Sequence, residues 1–112
     1  MNEWIYYTHL FDFYGGLLNK KHQAFFRLYY FENWTLQEIG DHFGISRQAV
    51  NNLIKRTHMF LQKYEDSIGL VNQFYECKKH ISVMENALVA GDIEESKKIL
   101  QHLKQELKIA EV

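Results

Sequence analysis

The chain has 112 residues, a formal net charge of -1, 46% hydrophobic and 15% aromatic residues, and no proline. That length bounds it to one domain, or one domain with a helical appendage, and the apolar content excludes a disordered chain. A near-neutral charge excludes indiscriminate coating of nucleic acid, because general phosphate binders carry a large positive excess.

Trp4, Tyr7, Phe11, Tyr14 and Leu18 follow alternating steps of three and four, which predicts an amphipathic helix with an aromatic stripe turned inward. Gly15 and Gly16 each cost about 1 kcal/mol relative to alanine inside a helix, so the helix ends there or something packs closely against it; close packing is the expectation. Asn19 suits the cap of a second helix running through Ala24, Phe25, Leu28 and Phe31 and stopping at Asn33. Six aromatics lie between Phe25 and Trp34. Their helical spacing points to core packing, since stacking platforms for unpaired bases sit on sheets and barrels.

The stretch from Trp34 to Arg56 reads as helix, tight turn, helix. Thr35 and Glu38 have the form of a capping box, Ile39 and Phe43 give the helix an apolar face, and Gly44 stands where a chain leaving a helix needs a left-handed residue. Ser46 is a second N-cap, followed by Val50, Leu53, Ile54 and Thr57 at helical spacing. Helices joined this tightly cross steeply, the geometry of a helix-turn-helix whose second helix enters a major groove. Such a crossing demands a small residue on the first helix, a turn glycine and a branched apolar residue on the second; Gly40, Gly44 and Val50 supply them. The face left over carries Ser46, Arg47, Gln48, Asn51, Asn52, Lys55 and Arg56, all able to donate hydrogen bonds to phosphates or base edges. Between Ser46 and Lys63 there are four basic residues and no acidic one, so binding through this face should be local and salt-sensitive.

The second helix is expected to continue through Phe60, Leu61 and Tyr64 toward Asp66, and Ser67 to Gly69 then break the chain. Leu70, Phe74, Cys77, Ile81, Met84 and Leu88 form a heptad seam. Gly91 stops that helix and Asp92, with Glu95 three residues on, caps a last one whose apolar positions are Ile93, Ile99, Leu100, Leu103, Leu107 and Ala110. Aromatics vanish after Tyr75. The expected organisation is a helix-turn-helix nucleic-acid-binding domain over 1–68 and a C-terminal helical hairpin over 69–112. That hairpin packs on the rest or pairs with a second copy; a homodimer through its helices is the expectation.

Six histidines are scattered, with none three or four residues from another, and the single cysteine, Cys77, completes no zinc motif by spacing. Neither a phosphate-binding glycine loop nor a nucleophile elbow is present, so no catalytic residue, metal or cofactor is expected and the chain does not read as an enzyme. One cysteine suits a reducing compartment, no basic leader precedes an apolar stretch, and no run approaches the ~18 apolar residues of a membrane span. A cytoplasmic protein is expected.

Phe13-Tyr14 with Leu17-Leu18, Leu28-Tyr29-Tyr30, Leu36 with Glu38-Ile39, Ser46-Arg47-Gln48-Ala49-Val50, and Ile54-Lys55-Arg56 with Tyr64-Glu65 together resemble the YlxM-type family. Its members are small bacterial helix-turn-helix proteins, similar to region 4 of sigma factors and associated with the signal recognition particle pathway. The resemblance implies an all-α nucleic-acid-binding protein that regulates, or takes part in, that pathway, with signal recognition particle components among its partners. It supplies no catalytic residue. The chain departs from the family pattern at Asn51, Asn52 and Leu53, where an aromatic, an acid and an amide would be usual, so a target read by other members does not carry over. Duplex DNA is the expected partner, because a major groove admits a helix and the deep groove of duplex RNA does not, with structured RNA open through phosphate contacts. The alternative is a protein-interaction module that docks a protein-targeting factor without DNA, a reading that near-neutral charge favours.

Overall fold

The computed structural model describes residues 2–108, and among these there are six α-helices, one 3-10 turn and no strand. The helices are α1 (Glu3–Tyr14), α2 (Lys20–Tyr30), α3 (Leu36–Phe43), α4 (Arg47–Ile68), α5 (Leu70–Val89) and α6 (Ile93–Glu106), with the 3-10 turn at Gly15–Leu17. The chain divides into two compact units, Met1–Val71 and Asn72–Val112.

Local chemistry sets the helix ends in the first unit. Asn2, Asn19, Thr35 and Ser46 each accept a hydrogen bond from a backbone amide of the first turn they cap. Thr35 and Glu38 close the full capping box. Gly44 and Gly69 end α3 and α4 in the left-handed region, at φ 71° and 73°. The first helix stops at Tyr14, and a Cβ on Gly15 would meet the Phe11 ring at 3.0 Å, so the close approach comes from the last turn of the helix it caps; Gly16 has nothing within 4 Å.

Helix α4 is the spine of this unit, with α1, α2 and α3 all packed on it. It turns Val50, Ile54, Thr57 and Leu61 inward. Thr57 Oγ1 donates to the Leu53 carbonyl at 2.9 Å, so a buried hydroxyl costs nothing unpaired. The facing side chains are Leu10, Phe11, Tyr14 and Leu18, then Phe25, Phe26 and Tyr30, then Ile39. Phe11, Phe26 and Tyr30 stack in series, 4.4 and 4.2 Å between ring centroids. The inward stripes keep Phe11, Tyr14, Leu18 and Phe25 of the expected ones and differ at other positions. Leu10 is fully buried while Trp4 is 40% exposed, Phe31 is exposed and Phe26 takes the core position. Phe43 is also exposed on one side, its ring lying edge-on to Phe25 at 4.6 Å.

Tyr14 ties the two ends of the unit together. Its hydroxyl donates to Glu65 Oε1 at 2.6 Å and accepts from the Leu70 amide at 2.9 Å, while Glu65 Oε1 also accepts from the Val71 amide at 3.0 Å. Burial and the Glu65 carboxylate push the Tyr14 phenol up, so it remains a donor. Glu65 thus satisfies a backbone donor at the start of α5 that has no partner within that helix.

In the second unit α5 and α6 form a hairpin around Gly91, at φ 78°, and Asp92 caps α6 by accepting from the Glu95 amide. Ser96, Ile99 and Leu103 are the buried residues of α6. The apolar positions grouped by sequence therefore split: Ile93, Leu100 and Leu107 are exposed, as are Phe74, Ile81 and Leu88 of the heptad seam. Ala110 lies outside the described residues. No helix of the described residues is long and apolar enough to cross a membrane.

Candidate nucleic-acid interface

The helix-turn-helix rests on one contact that leaves no room for a side chain. A Cβ on Gly40 would stand 2.6 Å from the Ile45 carbonyl oxygen, well inside contact distance, so only glycine lets the turn fold back against α3. The Ile45 amide donates to the Gly40 carbonyl at 2.9 Å and fixes the turn from the same place. Val50, wholly buried one turn into α4, fills the crossing.

With Val50, Ile54, Thr57 and Leu61 committed inward, the helical repeat turns Gln48, Asn52, Lys55 and Arg56 outward, while Arg47 falls on the inward row and is exposed at the first position of the helix. Ser46, Arg47, Gln48, Asn52, Lys55 and Arg56 are exposed and Asn51 is half-buried. Ser46 Oγ accepts from the Ala49 amide at 3.0 Å, which leaves its hydroxyl proton free for an outside acceptor. Gln48 Nε2 donates to Asn52 Oδ1 at 3.1 Å, so the two amides brace one another and present the Gln48 carbonyl and the Asn52 NH2 outward. Asn51, Arg47, Gln48 and Leu36 line a hollow of about 500 Å³.

The basic residues do not share one narrow stripe. At about 100° per residue, nine residues set Arg56 roughly half a turn around the helix from Arg47, with Lys55 between them. Arg56 lies toward α2, where His22 has its pKa lowered by burial and then by the charges of Arg56 and Lys21. Lys21 therefore belongs to the same positive field, and the sequence reading missed it. A signal was there: Lys20 and Lys21 open α2, where a cation opposes the helix dipole and gains nothing for the fold. Arg47, the first residue of α4, is placed against the dipole in the same way.

Beside Arg47 a second hollow, of about 330 Å³, is lined by Trp4, Tyr29, Asn33, Trp34, Thr35, Leu36 and Arg47. Trp4 reaches it because its ring packs on Tyr30 at 4.2 Å, with Tyr29 at 5.5 Å. Periodicity could not reveal this hollow, because residues 4, 34 and 47 meet only through the packing of separate helices. Behind the face, His58 stacks on Tyr7 at 3.8 Å and its Nε2 lies 2.6 Å from the Tyr30 hydroxyl. Burial lowers its pKa to about 4, so it is a neutral core group and adds no charge to the face at neutral pH.

The profile of the family described as "Putative helix-turn-helix protein, YlxM / p13 like" (UPF0122) matches residues 1–111. A UPF0122 protein of Symbiobacterium thermophilum is 39% identical over 97 residues, covering 87% of this chain and 91% of that one. One from Listeria welshimeri is 38% identical over 97 residues, covering 85% and 88%. A third, from Bacillus mycoides, is 40% identical over 81 residues, covering 72% and 74%.

Proposed function

From the chain's membership of the YlxM / p13-like helix-turn-helix family, we infer that it is a nucleic-acid-binding regulatory protein that reads duplex DNA with the first half of α4. The observation that carries this reading is the sorting of α4 into a buried apolar row and an exposed polar, basic set. Its buried row ends at Val50, Ile54, Thr57 and Leu61, while Arg47, Gln48, Asn52, Lys55 and Arg56 stand exposed with no acid among them. Arginine and lysine supply the salt-dependent hold on phosphate, and the glutamine and asparagines supply the paired donors and acceptors that base edges require. The reading extends to a region 4-like use of the motif, with residues 1–68 binding nucleic acid and residues 69–112 serving assembly. It also places the protein in the cytoplasm, in or near the signal recognition particle pathway that the sequence resemblance implies.

The test is a salt-titrated comparison of a promoter-like duplex with structured signal recognition particle RNA. Tighter, steeply salt-dependent binding to one of them names the ligand class. Equal weak binding to both leaves electrostatics alone and removes sequence reading by α4.

A second reading is supported by the balanced charge of the first 68 residues, seven basic against seven acidic. In it the motif is a scaffold and the protein docks a targeting factor without nucleic acid. A partner retained from nuclease-treated lysate, with no duplex binding at low salt, would select it.

Assembly as a homodimer through the C-terminal helices is part of the proposal. Phe74, Ile81 and Leu88 on α5, and Ile93 and Leu100 on α6 with Leu107 at its C-cap, are exposed rows at seven-residue spacing, the repeat with which one helix packs against another. A second copy presents the same rows, and a two-fold pair would offer two recognition helices to one target.

A further inference from the structure

Linear spacing keeps the histidines apart, but the hairpin of the second unit does not. α5 and α6 run antiparallel about Gly91, which sets residue 80 on one helix against residue 102 on the other. His102 and Glu106 are four apart on α6 and share a face. The His80 and His102 rings lie 4.9 Å apart at 69°, and His80 Nε2 stands 3.2 Å from Glu106 Oε2. One ligand atom from each of His80, His102 and Glu106 falls within 4.8 Å of the others.

The carboxylate is the telling member. Glu106 Oε2 is shut off from solvent and, among the described residues, has no hydrogen-bond partner, its nearest polar neighbour being His80 Nε2. A buried carboxylate oxygen left this way carries a desolvation cost that an ordinary surface ion pair avoids. Two donors on one metal ion stand about 3.3 Å apart, and His80 Nε2 and Glu106 Oε2 are 3.2 Å apart.

We propose that His80, His102 and Glu106 bind a divalent transition-metal ion of the zinc type, which clamps α5 to α6. Two imidazoles and one carboxylate form a donor set that suits Zn²⁺, Co²⁺ or Ni²⁺, whereas Mg²⁺ and Ca²⁺ prefer oxygen throughout. Bond lengths of about 2.0–2.1 Å require the donors to draw in to roughly 3.3 Å from one another. The exposed His102 side chain has the freedom to make that movement and leaves the ion a path of entry. Three protein ligands leave a fourth position for water or another ligand.

The experiment is calorimetric titration of the full-length, untagged, chelator-treated protein with Zn²⁺, and separately with Co²⁺ read by its visible absorption, using Mg²⁺ as the control ion. One saturable site is expected for Zn²⁺ and Co²⁺, a rise in melting temperature with Zn²⁺, and no response to Mg²⁺. His102→Ala and Glu106→Gln, an exposed truncation and an isosteric change, should each weaken binding at least about tenfold, the low end of what even outer-shell losses cost. Both should keep the metal-free helical spectrum. Cys77→Ser should bind as the parent does. No saturable binding, or equal affinity in the parent, His102→Ala and Glu106→Gln, would overturn the site; loss in Cys77→Ser would move it elsewhere.

Discussion

Gly40 and Val50 show how little freedom the crossing of α3 and α4 allows. In Gly40→Ala the new methyl would meet a backbone carbonyl at 2.6 Å, and neither a turn nor a helix can yield cheaply there. A loss on the order of 1–3 kcal/mol is predicted from forced overpacking, read as a lower denaturant midpoint with unchanged slope. Val50→Ala acts by the opposite route, leaving a void at a wholly buried site, and should cost on the order of 1–4 kcal/mol. An unchanged midpoint in both would show that the crossing does not limit stability. His58 makes stability depend on pH. Its pKa is lowered from 6.5 to about 4 by burial, so between those values the unfolded chain binds a proton that the folded one refuses. Stability from this residue is therefore complete above pH 6.5 and falls as pH drops toward 4. After discounting for partial solvation, the loss is on the order of 2 kcal/mol. His22, shifted the same way, adds to the trend. The difference in unfolding free energy between the parent and His58→Phe, measured at pH 7 and pH 4.5, should shrink or reverse at the lower pH.

At the scale of elements, α4 buries one row of residues and leaves the proposed contacts exposed, so variants should separate cleanly. Arg47→Ala is predicted to weaken nucleic-acid binding without lowering the melting temperature, because an exposed cation at a helix start opposes the dipole and holds nothing in the fold. Lys55→Ala and Arg56→Ala should each reduce the salt slope by roughly one. Their effects need not match, since Arg56 faces α2 and Lys21 while Arg47 faces the hollow beside Trp34. Unchanged affinity and slope in all three variants would remove α4 from the interface. Tyr14→Phe tests the junction of α1 with the end of α4. It strips a donor from Glu65 and an acceptor from the Leu70 amide in one step, for a predicted loss of roughly 1–3 kcal/mol, with nucleic-acid affinity unchanged.

At the scale of the molecule, assembly can be tested because the exposed rows avoid the hairpin's own core. Leu103 is buried within α6 and would confound folding with assembly, whereas Leu100 and Leu107 are exposed. The intact chain is predicted to sediment as a dimer at micromolar concentration, and Leu100→Glu with Leu107→Glu as a monomer of unchanged helicity; a monomeric intact chain would end the proposal. The helix ends and the turn were legible from residues alone: Asn19, Thr35 with Glu38, Gly44, Ser46 and Asp92 all act within four positions of themselves, and short-range hydrogen bonding needs no knowledge of the fold. The polar face of α4 was legible too, because a 3.6-residue repeat that spends Val50, Ile54 and Thr57 inward leaves Gln48, Asn52 and Lys55 no other direction, whereas Arg47 owes its exposure to opening the helix. Contacts between distant positions had to be decided by packing. Whether Trp4 or Leu10 fills the core depends on where α1 meets α2 and α4, since either could lie on an aromatic-rich stripe. The nearness of Lys21 to Arg56, of Trp4 to Arg47, and of His80 to His102 and Glu106 likewise follows from how helices meet, information that spacing along one helix does not contain.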